Sequence, residues 1–315
     1  MNLKLATFNL FQFCEPSFSF YTKKEKFKSD EWAKKISFVK EQINKMNPDI
    51  IGFQEVFSQD ELKNLCFECG FKYFVVSELP KLDEKINTYK STTLALASKF
   101  PIKKVEKVNK KDDFFFARVP IKTIISLRED LEITVYVAHL KSNRLNEFEY
   151  KFTSQTSFEE KKQKLETAYK NNFSNSLKQR INEAKALHFD IKKEKNPAVL
   201  LCDLNDREFS VTIEALCNQR FYKKESKKDE YILFDTYNLA PKNIYNPHPE
   251  FKGFVRTPTS YFIGYGNTLD FIFVNKLLKN RVKSFKIFDE HLQKNKNGTL
   301  ITSDHAQVVC EIELN

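Results

Sequence analysis

The sequence predicts an α/β protein. A strand, a helix and a second strand follow one another at the N-terminus, and apolar runs recur along the chain that end in a polar side chain, as buried strands do when they deliver groups to a sheet edge. The 315 residues suffice for two average domains or for one large α/β domain with a well-buried core.

Residues 3–10 read as a strand that ends on Asn9. Over 30–46, Trp32, Ile36, Val39, Ile43 and Met46 recur at helical spacing and give one apolar face. Asn47-Pro48 stops that helix, because the residue before a proline is pushed out of the helical region. Asp49 to Val56 is a short apolar run, the pattern of a strand buried on both faces that brings Glu55 to a sheet edge. Further strands are expected at 71–77, 92–98, 114–126 and 132–139. Leu177, Ile181, Ala184, Leu187 and Ile191 trace a second amphipathic helix, followed by a strand at 198–203, a helix near 211–218 and strands around 268–275, 281–288 and 305–312. Region 142–176 has few apolar and many charged residues and reads as an inserted stretch of exposed helix and loop rather than core, as does 221–230.

Hydrophobic residues at 41% and charged residues at 30% mark a globular chain rather than a disordered one. Six glycines, no internal repeat and no GxGxxG or P-loop pattern argue against solenoids, propellers and P-loop nucleotide hydrolysis. Subtracting 42 acidic from 52 basic side chains leaves +10, which favours an anionic partner such as nucleic acid, the alternative being a solvated lysine-rich surface. Of the six cysteines only Cys66 and Cys69 show CxxC spacing, and without a second pair they read as ordinary thiols in a reducing compartment. No apolar run reaches the roughly eighteen residues of a membrane span, and the chain opens as a strand without a signal-peptide core. The expectation is a soluble, cytoplasmic protein.

The polar terminations are Thr7-Phe8-Asn9, Phe53-Gln54-Glu55, Val137-Ala138-His139, Leu201-Cys202-Asp203-Leu204-Asn205, Leu269-Asp270 and Ser303-Asp304-His305. Singly, each has an ordinary role: Asn9 would cap a turn, Glu55 pair with a lysine, Asp203 start a helix. Gathered at one place they are an inventory for phosphate-ester hydrolysis. Mg²⁺ is a hard cation that takes one or two carboxylates beside neutral oxygens and keeps waters, a need that Glu55, Asp304 and Asn9 fit. Asp203, Asn205, His139 and His305 fit the remaining needs, a base or orienting group for water and donors for charge developing on phosphorus-bound oxygens.

Seven blocks in order, TFNL at 7–10, DIIGFQEV at 49–56, ARVPI at 117–121, HLKS at 139–142, CDLND at 202–206, TLDFIFV at 268–274 and SDH at 303–305, resemble the endonuclease/exonuclease/phosphatase superfamily of metal-dependent phosphoesterases, which includes the deoxyribonuclease-I-like enzymes. The resemblance spans nearly the whole chain and implies one domain over 1–315, since first and last elements must meet at one site. It implies a four-layer α/β sandwich, two central mixed β-sheets packed face to face and flanked by helices. It further implies Mg²⁺ or Mn²⁺ on Glu55 and Asp304, with Asn9 as a ligand or orienting group. Asp203 would accept the proton of the attacking water, and Asn205 would orient that water or the phosphate. His305, held by Asp270, would hydrogen-bond a phosphate oxygen, and His139 would donate to the phosphate or leaving group.

Arg118 resembles an arginine that contacts the scissile-strand phosphate in the deoxyribonuclease branch, and Lys141 and Arg144 would touch backbone phosphates. The activity implied is a divalent-metal-dependent phosphodiesterase that hydrolyses nucleic acid. A phosphatase or phospholipase-type phosphoesterase, and a catalytically silent binding module, are the alternatives. The chain departs from the deoxyribonuclease-I pattern in two places. Phe57 and Ser58 stand where a minor-groove arginine follows the QEV block, and Ser91-Thr92-Thr93 stands where an acid would pair the first histidine, so His139 is expected to be less basic or paired by another group. Tyr261 and Phe262 are expected in the cleft or the core, and Lys103, Lys104, Lys107, Lys110 and Lys111 on a solvated face. His188, His248 and His291 are expected to be noncatalytic, His188 within the second amphipathic helix as a boundary residue and His291 in a charged tail segment.

Overall fold

The computed structural model describes the chain except for residues 111–113, 145, 224–227, 242–255, 263, 295–300 and 315. The expectations for Lys111, His248 and 224–227 therefore lie outside the described residues.

Two six-stranded sheets organise the fold. The first runs Val282–Phe288, Gln307–Glu313, Asn2–Phe13, Ile50–Val56, Thr93–Ser98, Tyr73–Val76, and the second Leu233–Asp235, Asp270–Asn275, Ala198–Asp203, Leu131–His139, Ile121–Arg128, Ile102–Glu106. Each sheet has a single parallel pair at its centre, Asn2–Phe13 with Ile50–Val56 and Leu131–His139 with Ala198–Asp203, and antiparallel neighbours outward from it.

The period of two along a strand decides which side chains meet. Leu3, Leu5, Ile50, Leu94 and Leu96 of the first sheet pack against Val135, Val137, Val199, Leu201, Ile272 and Val274 of the second. Ala6, Phe8, Ile51 and Phe53 face the other way, onto helices Ser29–Met46 and Gln59–Glu68. Tyr136, Leu200 and Phe271 likewise face helices Phe158–Asn171, Asn175–Ile191 and Val211–Cys217. The layers are thus helix, sheet, sheet, helix, the four-layer sandwich that the resemblance implies. Gly52 shows how closely the sheets approach, since a Cβ there would lie 2.9 Å from Val137 Cγ2 and 3.2 Å from Leu201 Cβ.

Some elements differ from expectation. Helix Gln59–Glu68 carries only Leu62, Leu65 and Cys66 as buried positions, too few to show as a stripe in the sequence. The run expected as a strand over 114–126 divides: 114–120 is irregular, Pro120 lacks a ladder donor, and the strand is Ile121–Arg128. Strand Ile102–Glu106 is an edge whose exposed Lys103 and Lys104 discourage further pairing. Within 142–176, helix Phe158–Asn171 is not wholly exposed, because Leu165 and Ala168 reach the core on a narrow stripe. Among the described residues no helix is long and apolar enough to cross a membrane.

Candidate active site

The parity that builds the core also gathers the polar strand ends. Asn9 shares the inward face of Leu3 and Leu5, His139 that of Val135 and Val137, Asp203 that of Val199 and Leu201, and Asp270 that of Ile272 and Val274. Across the gap between the sheets, Asn9 Nδ2 donates to Asp203 Oδ2 at 2.9 Å. Asp203 Oδ1 accepts the Asn205 backbone N–H at 2.8 Å, and His139 Nε2 lies 3.3 Å from Asp203 Oδ2. His305 Nδ1 is 2.8 Å from Asp270 Oδ2 and 3.9 Å from Asp203 Oδ2. Ser303 Oγ donates to the Asn9 carbonyl at 2.6 Å and accepts the His305 N–H at 2.9 Å, which fastens the SDH block to the first strand.

Strict alternation would send Glu55 outward with Ile51 and Phe53. A left-handed φ of 61° at Glu55 and a register shift between Phe53 and Val56 break the alternation, as a bulge does. Glu55 Oε2 accepts the Gln12 backbone N–H at 3.1 Å. Burial and then the Asp304 charge push the Glu55 carboxyl above its ordinary range, against the pull of Arg118 and His305.

Burial also pushes Asp203 up to about 7, with Asp270 adding to the shift and His305 opposing it. For His305, burial works against the imidazolium, but Asp270, Asp203 and Asp304 together hold its pKa well above the ordinary histidine value, so the ring is cationic. His139 is the opposite case, held well below that value by burial and then by Arg118 and His305. Its Nδ1 is buried without a hydrogen-bond partner. The His139–Asp203 contact therefore joins a neutral ring to a carboxyl group and is not an ion pair.

Arg118, half-buried, donates to the Leu140 carbonyl at 2.9 Å and to Ser142 Oγ at 3.1 Å. Asn205, at φ 49°, donates through Nδ2 to the same carbonyl at 3.1 Å, so its amide is engaged with the HLKS turn. Lys141 is half-buried and Arg144 exposed; burial, then the charges of Arg144 and Arg118, lower the Lys141 pKa, which makes these three cations one basic rim.

A family model described as the Endonuclease/Exonuclease/phosphatase family matches residues 6–305. The chain belongs to this family. Its members are hydrolytic phosphoesterases, and the strand ends just described are where this chain carries its acids and histidines. Solved structures similar to it include an AP endonuclease from Archaeoglobus fulgidus, with a TM-score of 0.58, 15% identity, and 99% of this chain and 100% of that one covered. A humanized D. rerio TDP2 carrying 14 mutations gives 0.58 at 11% identity, with 99% of each chain covered. A mannosyl-6-phosphatase from Bacteroides thetaiotaomicron gives 0.57 at 15% identity, with 99% and 100% covered. At these identities the likeness is one of fold. No curated protein sequence matches at a significant level.

Where this family's divalent cation fits can be judged from unsatisfied oxygens. Among the described residues, one group of three acidic or histidine side chains has ligand atoms within 4.8 Å of one another: Asp203, Asp270 and His305. Some of these atoms already serve each other, with His305 Nδ1 on Asp270 Oδ2 and Asp203 Oδ2 on Asn9, while Asp270 Oδ1 is buried without a hydrogen-bond partner. Glu55 and Asp304 offer a second set of oxygens. They are like charges that act on each other, Asp304 Oδ1 makes no hydrogen bond though His305 Nε2 lies 3.9 Å away, and the side-chain carbonyl of neighbouring Gln12 is buried without a hydrogen-bond partner. Oxygen donors short of partners suit a hard cation. Gln12 thus joins Glu55 and Asp304 as a residue near that position, one the sequence pattern does not reveal, whereas Asn9 Oδ1 already accepts the Phe11 N–H at 3.0 Å.

Other supports escape a motif-based reading because their residue types are common. Lys35 is wholly buried, and its Nζ donates to the carbonyls of Leu10, Phe11 and Thr302. Its spacing with Val39 and Met46 on one helix face is the available signal. Arg180, also wholly buried, pairs with Glu149 at 2.7 Å and donates to the Lys141 carbonyl at 3.2 Å, while Glu183 accepts the Lys141 and Ala117 N–H groups at 2.7 Å each. His291, in its charged segment, is itself buried, with Nε2 2.9 Å from the His305 carbonyl. His188 lies inside the helix layer rather than at its boundary, bound to the Leu216 carbonyl. Tyr261 and Phe262 lie outside the core, about half-exposed on a hairpin whose Ser260 pairs with His305.

Proposed function

We propose that the protein is a divalent-metal-dependent phosphodiesterase that hydrolyses nucleic acid by in-line attack of water on phosphorus. The observation that carries this reading is the Asp203 carboxyl, held among Asn9, Asn205 and His139 where the two sheets meet and raised toward neutrality by burial. A base whose pKa lies near the working pH combines the correct protonation state with useful basicity. In this reading Asp203 takes the proton of the attacking water, and Asn205 fixes the turn that orients it.

Cationic His305, its Nδ1 fixed on Asp270, offers charge and a second N–H to a phosphate oxygen. Neutral His139 is the donor to the phosphate or the leaving oxygen. Glu55 and Asp304, beside Asn9, would hold Mg²⁺ or Mn²⁺, which would supply Lewis-acid charge for the developing oxyanion. Arg118, Lys141 and Arg144 hold neighbouring phosphates, and this rim together with the net charge of +10 favours a polyanion over a small ester. Because Asn9 and the 303–305 block belong to the same site, we also propose that 1–315 acts as a single domain.

The test is cleavage of supercoiled plasmid, single-stranded DNA and RNA with Mg²⁺, Mn²⁺ or EDTA, alongside Asp203→Ala. Metal-dependent cutting that falls by roughly 10²–10⁴ in the variant is expected. Absence of cutting by folded wild-type protein would overturn the nuclease reading and direct the same site to sugar and other phosphomonoesters, the substrate type in the name of the Bacteroides neighbour.

A further inference from the structure

Lys35 has no exposed surface, yet it lies mid-way along helix Ser29–Met46, on the face that carries Val39 and Met46 into the core. An ammonium is tolerated there only with hydrogen-bond acceptors. Its Nζ donates to Leu10 O at 2.6 Å, Phe11 O at 2.9 Å and Thr302 O at 3.0 Å. These carbonyls belong to the two ends of the chain, with Thr302 267 residues from Lys35. Each adjoins a group of the site: Leu10 follows Asn9, Phe11 precedes the Gln12 N–H that holds Glu55, and Thr302 is two residues before Asp304.

We propose that Lys35 is a positioning residue for the divalent cation: it clamps the Leu10–Phe11 bend to the Thr302–Asp304 segment and so sets the spacing of Asn9, Glu55 and Asp304. The inference rests on the metal-dependent reading above. Lys35 has two opposed effects on cation binding. Its charge repels the cation, so that its loss would tighten binding. Its clamp holds the ligands, so that its loss would loosen them, and supporting residues of this kind are worth about 10- to 100-fold in metal affinity. Burial pulls the Lys35 pKa down to about 7 against the pull of Asp304 and Glu55. Three carbonyl oxygens are aimed at Nζ and screen what charge it carries, which leaves the clamp as the larger effect.

Calorimetric titration of Mn²⁺ into metal-stripped protein, with a thermal melt of each variant, decides between them. Lys35→Met is expected to bind Mn²⁺ at least about tenfold more weakly. Lys122→Met removes a buried lysine from the second sheet, where it pairs with Asp190 at 2.8 Å, and is expected to lower the melting temperature while keeping Mn²⁺ affinity within about twofold. If Lys35→Met does not fold, Lys35→Arg keeps the charge but displaces the donors, and a severalfold weaker affinity is expected from it. A folded Lys35 variant that binds Mn²⁺ as tightly as wild type, or more tightly, overturns the clamp and leaves the functional reading intact. Wild-type protein that binds no Mn²⁺ overturns both.

Discussion

The two sheets share a strand pattern and part company at the edge where they meet. At the end of the second sheet, the carboxylates are matched across the gap: Asp270 holds the His305 ring, and Asp203 accepts from Asn9 as well as from the Asn205 backbone. At the end of the first, Glu55 accepts a backbone N–H from Gln12, stands beside the like charge of Asp304, and owes its position to a left-handed backbone. The carboxylates of one edge are hydrogen-bonded to side chains from the facing sheet's side. At the other, Arg118, His305 and Lys35 act on the carboxylates, yet Asp304 Oδ1 makes no hydrogen bond and the like charges of Glu55 and Asp304 raise each other's cost, which suits a cation.

Removing a carboxylate should therefore have opposite effects at the two ends. Asp270→Asn leaves cationic His305 buried without its closest counter-charge, and a loss of about 3–5 kcal/mol is expected in urea unfolding of the metal-stripped protein. Glu55→Gln relieves repulsion from Asp304, and the metal-stripped protein should gain roughly 0.5–2 kcal/mol while losing Mn²⁺ binding. Shifts of the same sign in the two variants would refute the contrast between the edges.

The pH dependence sharpens the same point. Glu55 and Asp203 both have raised pKa values in the folded protein, Asp203 to about 7. Between the unfolded carboxyl value of about 4 and the folded value, the native state binds the extra proton, so stability is fullest below about pH 4 and falls as pH rises. His305 acts in the same direction, its stabilising charge being present below about pH 6.5 and lost as pH climbs through the raised folded value. His139, His188 and His291, whose pKa values burial lowers, act the other way, so Glu55 is isolated as a difference: the melting temperature of metal-stripped wild type relative to Glu55→Gln should decline as pH rises from about 4. A difference that rises with pH would contradict the assignment of Glu55.

Much of this edge is legible in the sequence because alternation is local. Asn9, His139, Asp203 and Asp270 have the same parity as the inward apolar residues of their own strands, so their inward aim follows from period two alone. Glu55 is not legible in that way, since its aim depends on a bulge and a positive φ that no neighbouring glycine announces. Lys35, Arg180 and His291 were hidden for a different reason. Their partners are chiefly backbone carbonyls or acids far along the chain, and only the folded structure brings these together.

The smallest expected effect concerns the basic rim, whose members are anchored to different degrees. Arg118 is pinned to Leu140 and Ser142, and the Lys141 backbone is fixed by Glu183 and Arg180, whereas Arg144 is exposed. Arg144→Ala should leave stability within about 0.5 kcal/mol. If Arg144 meets one phosphate of a single strand, the slope of log affinity against log salt should become shallower by about 0.7, measured by anisotropy with labelled single-stranded DNA in EDTA. An unchanged slope would remove Arg144 from the substrate path. If Arg118→Ala also left the slope unchanged, the rim would not be tracking a polymer, and the matched edge would remain an esterase centre for a small anion, with the two sheets doing the same chemistry on a different substrate.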